Sequence, residues 1–133
     1  MAQYFDMDEL TRSDTANRRG IKNVPNEEQK RSLQRLMDDC LDPIRRLWGK
    51  PIIVNSGFRC PELNRAVGGS ATSQHMKGEA ADITTGSIGG NKELFEHIAY
   101  SGIPFDQLID EKGYKWIHVS YKETGNRKNV LHL

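Results

Sequence analysis

The chain has only two cysteines in 133 residues, Cys40 and Cys60, and neither belongs to a CxxC pair. That count excludes a cysteine-built zinc ribbon and a thioredoxin-like redox motif, and it leaves a Cys40–Cys60 disulfide open. Net charge is lacking as well, since 19 Lys and Arg stand against 18 Asp and Glu. No field therefore draws the protein to nucleic acid or to an anionic membrane, and no nucleic-acid partner is expected. The basic pairs Arg18-Arg19 and Arg45-Arg46 read as solvated faces. No apolar stretch approaches the roughly 18 residues needed to span a bilayer, so membrane insertion is not expected. The first residues, MAQYFDMDELTRSD, are acidic where a secretory signal would be basic and then apolar. The expectation is synthesis in a cytoplasm without a signal peptide, with release or delivery by other means if the substrate lies outside. Repeats, low-complexity segments, and GxGxxG, Walker and HExxH patterns are absent too.

What remains describes one ordinary domain over residues 1–133, with 36% apolar and 28% charged residues. Residues 1–25 are polar and punctuated by turn formers, which predicts a segment that wraps the surface with weak helix near Leu10. Asn26 opens the first strong element, with Gln29 in place for a capping box. Leu33, Leu36, Met37, Cys40, Leu41, Ile44, Leu47 and Trp48 then recur at helical spacing to Gly49. Pro43 predicts a bend, or a restart capped by Asp42.

Shorter elements follow. Strands are predicted over 51–55 and 80–85, a short helix over 61–67, and a helix over 91–100. A hairpin is predicted from 105–110 and 115–121, with Glu111, Lys112 and Gly113 in its turn. Alternation puts Ala80, Asp82 and Thr84 on one side of their strand, and Trp116, His118 and Ser120 on one side of theirs. The last dozen residues carry no clear signal. Helices on a small, mainly antiparallel sheet make an α+β fold.

Between Ser56 and Ile83 the chain reads SGFRCPELNRAVGGSATSQHMKGEAADI, with His75 and Asp82 seven positions apart. His118 lies in the separate run WIHVSY. Two imidazoles and a carboxylate are a donor set that zinc accepts, with a fourth position free for water. If strands 80–85 and 115–121 are neighbours, Asp82 and His118 point at a common spot. On spacing alone, a hydrogen-bonded histidine and a capping aspartate are the competing readings. His97 reads as a helix-surface residue and His132 as part of the tail, while Gly68-Gly69 reads as a helix stop.

Ser73-Gln74-His75-Met76-Lys77-Gly78-Glu79-Ala80-Ala81-Asp82 is similar to the SxHxxGxAxD motif of the M15 family of zinc D-Ala-D-Ala peptidases. Ser56-Gly57-Phe58-Arg59, Leu63-Asn64, Val67-Gly68-Gly69 and Trp116-Ile117-His118-Val119-Ser120 follow that family's order, so the resemblance runs from about Phe5 to Tyr121. It resembles most the small phage and bacterial branch, and it implies the fold shared with the hedgehog signalling domain. The resemblance implies one Zn2+ held by His75, Asp82 and His118, with Arg59 receiving a substrate carboxylate. Ser73 would contact substrate or support the metal loop. Trp116, on the same face of its strand as His118, reads as a groove-lining residue or as a core residue. The implied activity is hydrolysis of D-amino-acid peptides in peptidoglycan, by a D,D-carboxypeptidase or an endopeptidase such as a phage lysin. A monomer is expected.

One position departs from the pattern. Several members of the family carry the catalytic carboxylate three residues before the last histidine, where this chain has Lys115. A lysine is not the same base near neutral pH. The hedgehog domain carries its glutamate in a hairpin turn after a Phe-Asp pair. Counted from Phe105-Asp106, that place falls on Glu111, with Asp110 as runner-up. The alternative reading is a catalytically silent zinc-containing module that grips cell wall, for example in a phage particle.

Overall fold

A computed structural model describes residues 2–133. The amino-terminal segment is more ordered than its polarity predicts. It forms α1 (Met7–Thr11), capped by Asp6, and α2 (Asp14–Arg19), capped by Ser13. Phe5, Leu10 and Ala16 are buried, so this segment contributes to the core as well as wrapping it. Five or six residues are too few to show a helical period, which is why composition alone reads as loop here.

α3 (Glu27–Leu36) begins with the expected box: Asn26 accepts from the Gln29 amide, and the Gln29 side chain accepts from the Asn26 amide. The helix does not stop at Pro43. A wide π turn, Met37–Leu41, carries it into α4 (Asp42–Trp48), which Gly49 ends in the left-handed region. Pro43 has no amide hydrogen to offer and its ring crowds the preceding turn, and a wider turn absorbs both effects. Asp42 does not cap its own helix; its carboxylate accepts the amides of Gln3 and Tyr4 and ties down the chain start.

Among the described residues, five strands form one sheet in the order β1-β2-β4-β3-β5. They are β1 (Ile53–Ser56), β2 (Ala80–Thr84), β3 (Gln107–Glu111), β4 (Trp116–Ser120) and β5 (Asn129–His132). All pairs are antiparallel except β3 with β5. Ala81, Ile83, Leu108, Ile117 and Val119 join the side chains of α3, the π turn, α4 and α6 (Ile88–Tyr100) in one core. The alternate residues Asp82, His118, Trp116, Ile109 and Glu111 lie on the other side of the sheet. The fold is α+β with a mainly antiparallel sheet, as the sequence predicts.

Two elements depart from expectation. Glu111 ends β3, paired with Trp116, instead of sitting in the turn. β5 forms from the tail, where no strand is predicted. Its anchor lies outside its own sequence: Asp106, fully buried, accepts from the Arg127 amide, Nε and a terminal guanidinium nitrogen at 2.8–3.0 Å. Cys40 and Cys60 are both free, and burial of Cys40 pushes its thiol up to about 12.

Candidate metal centre

Strand register brings the first two groups together. Asp82 and His118 are directly opposed across β2 and β4, and His118 Nδ1 lies 3.1 Å from Asp82 Oδ1. The third group comes from the 57–79 segment. α5 (Pro61–Ala66) and a 3₁₀ turn, Gln74–Lys77, fold this segment so that His75 Nε2 comes within 3.3 Å of the same oxygen. Among the described residues, these three offer ligand atoms within 4.8 Å of one another. His75 and Asp82 are buried and His118 is partly exposed, so the cluster opens on one side.

The 3₁₀ turn is held at both ends. Ser73 Oγ accepts the His75 amide at 3.2 Å. After the turn, Gly78 has φ +73°, and a Cβ there would lie 2.6 Å from the Gln29 carbonyl oxygen on α3. A side chain at that position meets both backbone strain and a collision. Gln29 also donates to the Met76 carbonyl at 3.1 Å, so the residue that caps α3 fixes the histidine loop as well.

Proton placement shows what the cluster needs. His75 Nδ1 lies 2.7 Å from the Gly57 carbonyl oxygen, an acceptor only, so Nδ1 carries the hydrogen. In the neutral ring Nε2 then holds a lone pair, and that lone pair faces a carboxylate oxygen. Two acceptors at this separation repel unless a cation lies between them or the ring takes a second proton. The carbonyl partner is also the device that fixes the tautomer and aim of metal-binding histidines. Two imidazole nitrogens and one carboxylate oxygen fit zinc, whereas calcium and magnesium take oxygen ligands. Burial pushes the Asp82 carboxyl up, but a hydrogen bond from His118 and, once its ring takes the second proton, one from His75 outweigh it and hold the group well below the usual carboxylate range. Asp82 is thus a carboxylate at any working pH.

Arg59 stands behind the carboxylate. Its Nε donates to Ser56 Oγ at 3.0 Å, and its two terminal nitrogens reach Asn64 Oδ1 at 3.2 Å and Asp82 Oδ2 at 3.4 Å. Asn64 is itself buried and donates to the Ser70 carbonyl. A Cβ at Gly69 would lie 2.1 Å from Asn64 Oδ1, so this glycine makes room for the bond that orients Arg59. Asn23 accepts the Cys60 amide and donates to the Phe58 carbonyl, fixing the backbone on either side of Arg59. Ser56 and Asn64 stand in the sequence motifs without a role attached, whereas Asn23 and the Gly57 carbonyl escape sequence reasoning because one acts on a partner distant in the chain and the other through its backbone.

Four further residues singled out in the sequence fall as follows. Trp116 and Glu111 oppose each other at the ends of β4 and β3, on the side of the sheet that carries His118. Asp110 points to the opposite side, where its oxygens meet the Tyr114 amide at 2.6 Å and His132 Nδ1 at 3.2 Å. His97 lies against Trp48 on the helix layer, away from the centre.

The family model for Peptidase M15 matches residues 3–120 of this chain. A zinc D-Ala-D-Ala carboxypeptidase of Streptomyces albus G is 50% identical over 50 residues, a match that covers 37% of this chain. That match spans only 20% of the relative's length. With a His-Asp-His cluster built from the side of the sheet and a family match that takes in every strand but β5, the chain belongs to the Peptidase M15 family.

Proposed function

We propose that the protein is a zinc-dependent peptidase that hydrolyses D-amino-acid peptides of bacterial peptidoglycan, as a D,D-carboxypeptidase or an endopeptidase. The observation that carries this reading is the His75–Asp82–His118 cluster, open on one side, with the Glu111 carboxylate on the same side of the sheet. The name of the Streptomyces relative supports both the metal and the substrate class.

His75 Nε2, Asp82 Oδ1 and His118 Nδ1 would hold the ion. When bound, zinc supplies Lewis acidity, which polarises the scissile carbonyl and makes a water acidic enough to attack near neutral pH. Glu111 takes the proton of the attacking water and delivers it to the leaving amine nitrogen. Arg59 presents the planar, permanently charged donor that a peptide carboxylate prefers. It also lines a cleft of about 550 Å³ with Ser56 on β1 and Val67 just past α5; none of the three ligands lines that cleft, so Arg59 stands between it and the cluster. Trp116 flanks the other side of His118 and contributes an apolar wall.

The test is to incubate the zinc-loaded protein with purified peptidoglycan and, separately, with a peptide ending in D-Ala-D-Ala, and to identify products by mass. Release of terminal D-alanine identifies a carboxypeptidase, and cleavage within cross-links an endopeptidase. Zinc bound with no product from either substrate overturns the proposal and leaves a wall-binding module.

A further inference from the structure

The connection from β3 to β4 contains an uncommon backbone. Lys112, Gly113 and Tyr114 have φ of 54°, 69° and 65°, three successive residues in the left-handed region. Only one is a glycine, and each of the others costs free energy that its surroundings must offset. The surroundings are specific. Asp110 accepts the Tyr114 amide at 2.6 Å, and Asn91 of α6 donates to the Tyr114 and Lys115 carbonyls at 2.9 and 3.2 Å. The Tyr114 ring meets Phe95 edge-on at 5.5 Å.

Asp110 also reaches the chain end. Its second oxygen lies 3.2 Å from His132 Nδ1. Its carbonyl accepts the Leu133 amide at 2.8 Å, and the Leu133 carbonyl accepts the Lys112 amide at 3.1 Å. A 7% exposed carboxylate is therefore committed to one turn and one terminal strand. A stretch needing nothing but a tight turn would use glycine or asparagine there.

What lies between these bonds is Glu111. Its peptide is clamped on both sides, by Asp110 before it and by Lys112 after it, and its carbonyl accepts the Lys115 amide at 3.1 Å. Its side chain has no hydrogen-bond or ion-pair partner among the described residues, so its placement comes from the backbone. We propose that Asp110 is a positioning residue for Glu111: by locking the 112–114 turn and β5 from the far side of the sheet, it aims the Glu111 carboxylate at the metal centre. This rests on the reading of Glu111 as the general base.

The experiment compares zinc-loaded full-length Asp110→Ala, Asp110→Asn and Glu111→Gln with the unmodified protein, measuring kcat, KM, zinc per chain and thermal midpoint. Asp110→Ala is expected to lower kcat about 10²-fold, the effect of misplacing a reacting group by about an ångström. KM and zinc content should stay within about two-fold, because neither Arg59 nor the ligands are touched. Asp110→Asn keeps an oxygen for the Tyr114 amide and should recover most of the loss. An unchanged kcat in Asp110→Ala, with Glu111→Gln inactive, overturns this inference and leaves the base assignment intact. A fall in kcat matched by loss of zinc overturns it in favour of a merely structural role. Hydrolysis retained by Glu111→Gln removes the base assignment, and this inference with it. If Asp110→Ala does not fold, Asp110→Gln displaces the acceptor by one methylene, and wild-type kcat there overturns the proposal.

Discussion

Asp82 on β2 and Asp106 just before β3 are both buried, both stand beside an arginine, and both have carboxyl groups held below the usual range. Their partners differ in where the protons are. Around Asp106 each contact brings a hydrogen: Arg127 supplies three bonds of 2.8–3.0 Å, and Lys122 adds a charge at 3.7 Å. That carboxylate is satisfied by the protein alone. Asp82 receives one long contact from Arg59 at 3.4 Å, while its other oxygen faces two ring nitrogens, of which the His75 nitrogen holds a lone pair in the neutral ring. Burial and a depressed pKa are therefore common to a structural lock and a candidate metal centre. The unspent lone pair on His75 sets the candidate centre apart.

Removal of metal should show the largest effect. Chelation should take hydrolysis to background and restore it on adding zinc. It should also lower stability, by about 3 kcal/mol if free zinc had stood near a hundred times its dissociation constant. Differential scanning calorimetry before and after dialysis against a chelator measures this, and an unchanged midpoint would erase the distinction drawn between the two aspartates.

Next in size is Arg127→Ala, which leaves the buried Asp106 charge without its main partner. Losing these bonds at a buried carboxylate should lower the urea midpoint of unfolding, with zinc content unchanged. The sign with pH follows from the lowered Asp106 pKa, to about 2, caused first by the Arg127 hydrogen bonds. A depressed carboxyl stabilises the fold fully above its ordinary unfolded pKa of about 4 and loses that contribution as pH falls toward 2. The stability gap between the unmodified protein and Arg127→Ala should thus be constant near neutrality and close between about pH 4 and 2. A gap that persists at pH 2 would assign the effect to packing.

The smallest effect is expected from Arg59→Lys. Lysine keeps the charge but not the fork, and one lost charge-assisted bond, about 1.5–3 kcal/mol, raises KM about ten-fold or more. Peptides with a free carboxyl terminus should show it and their amides should not. Equal changes for both would confine Arg59 to holding Asp82.

The juxtaposition of Asp82 and His118 was legible in the sequence because strand alternation is local, while their reading as ligands with His75 came from the family resemblance. Asp82 and His118 each occupy a stated side of a short apolar strand, and pairing the two strands was enough to oppose them. The capped start of α3 was legible for the same reason, since Asn26 and Gln29 are three residues apart. β5 was not, because its residues are polar and partly exposed, and what fixes it is the Asp106–Arg127 clasp from 21 positions away. The place of Glu111 at a strand end was hidden by Gly113, a turn former, and by the left-handed Lys112 and Tyr114 around it, which propensity does not anticipate. The bonds that orient Arg59 and His75 run through Asn23, Asn64 and a backbone carbonyl, none of which stands out by residue type.

The most direct measurement is zinc per chain, by native mass spectrometry, in the unmodified protein, Asp82→Ala and Arg127→Ala. One zinc per chain is expected in the first and third and none in Asp82→Ala. Zinc retained by Asp82→Ala, or absent from the unmodified protein after loading, would contradict the assignment of this cluster as the metal centre.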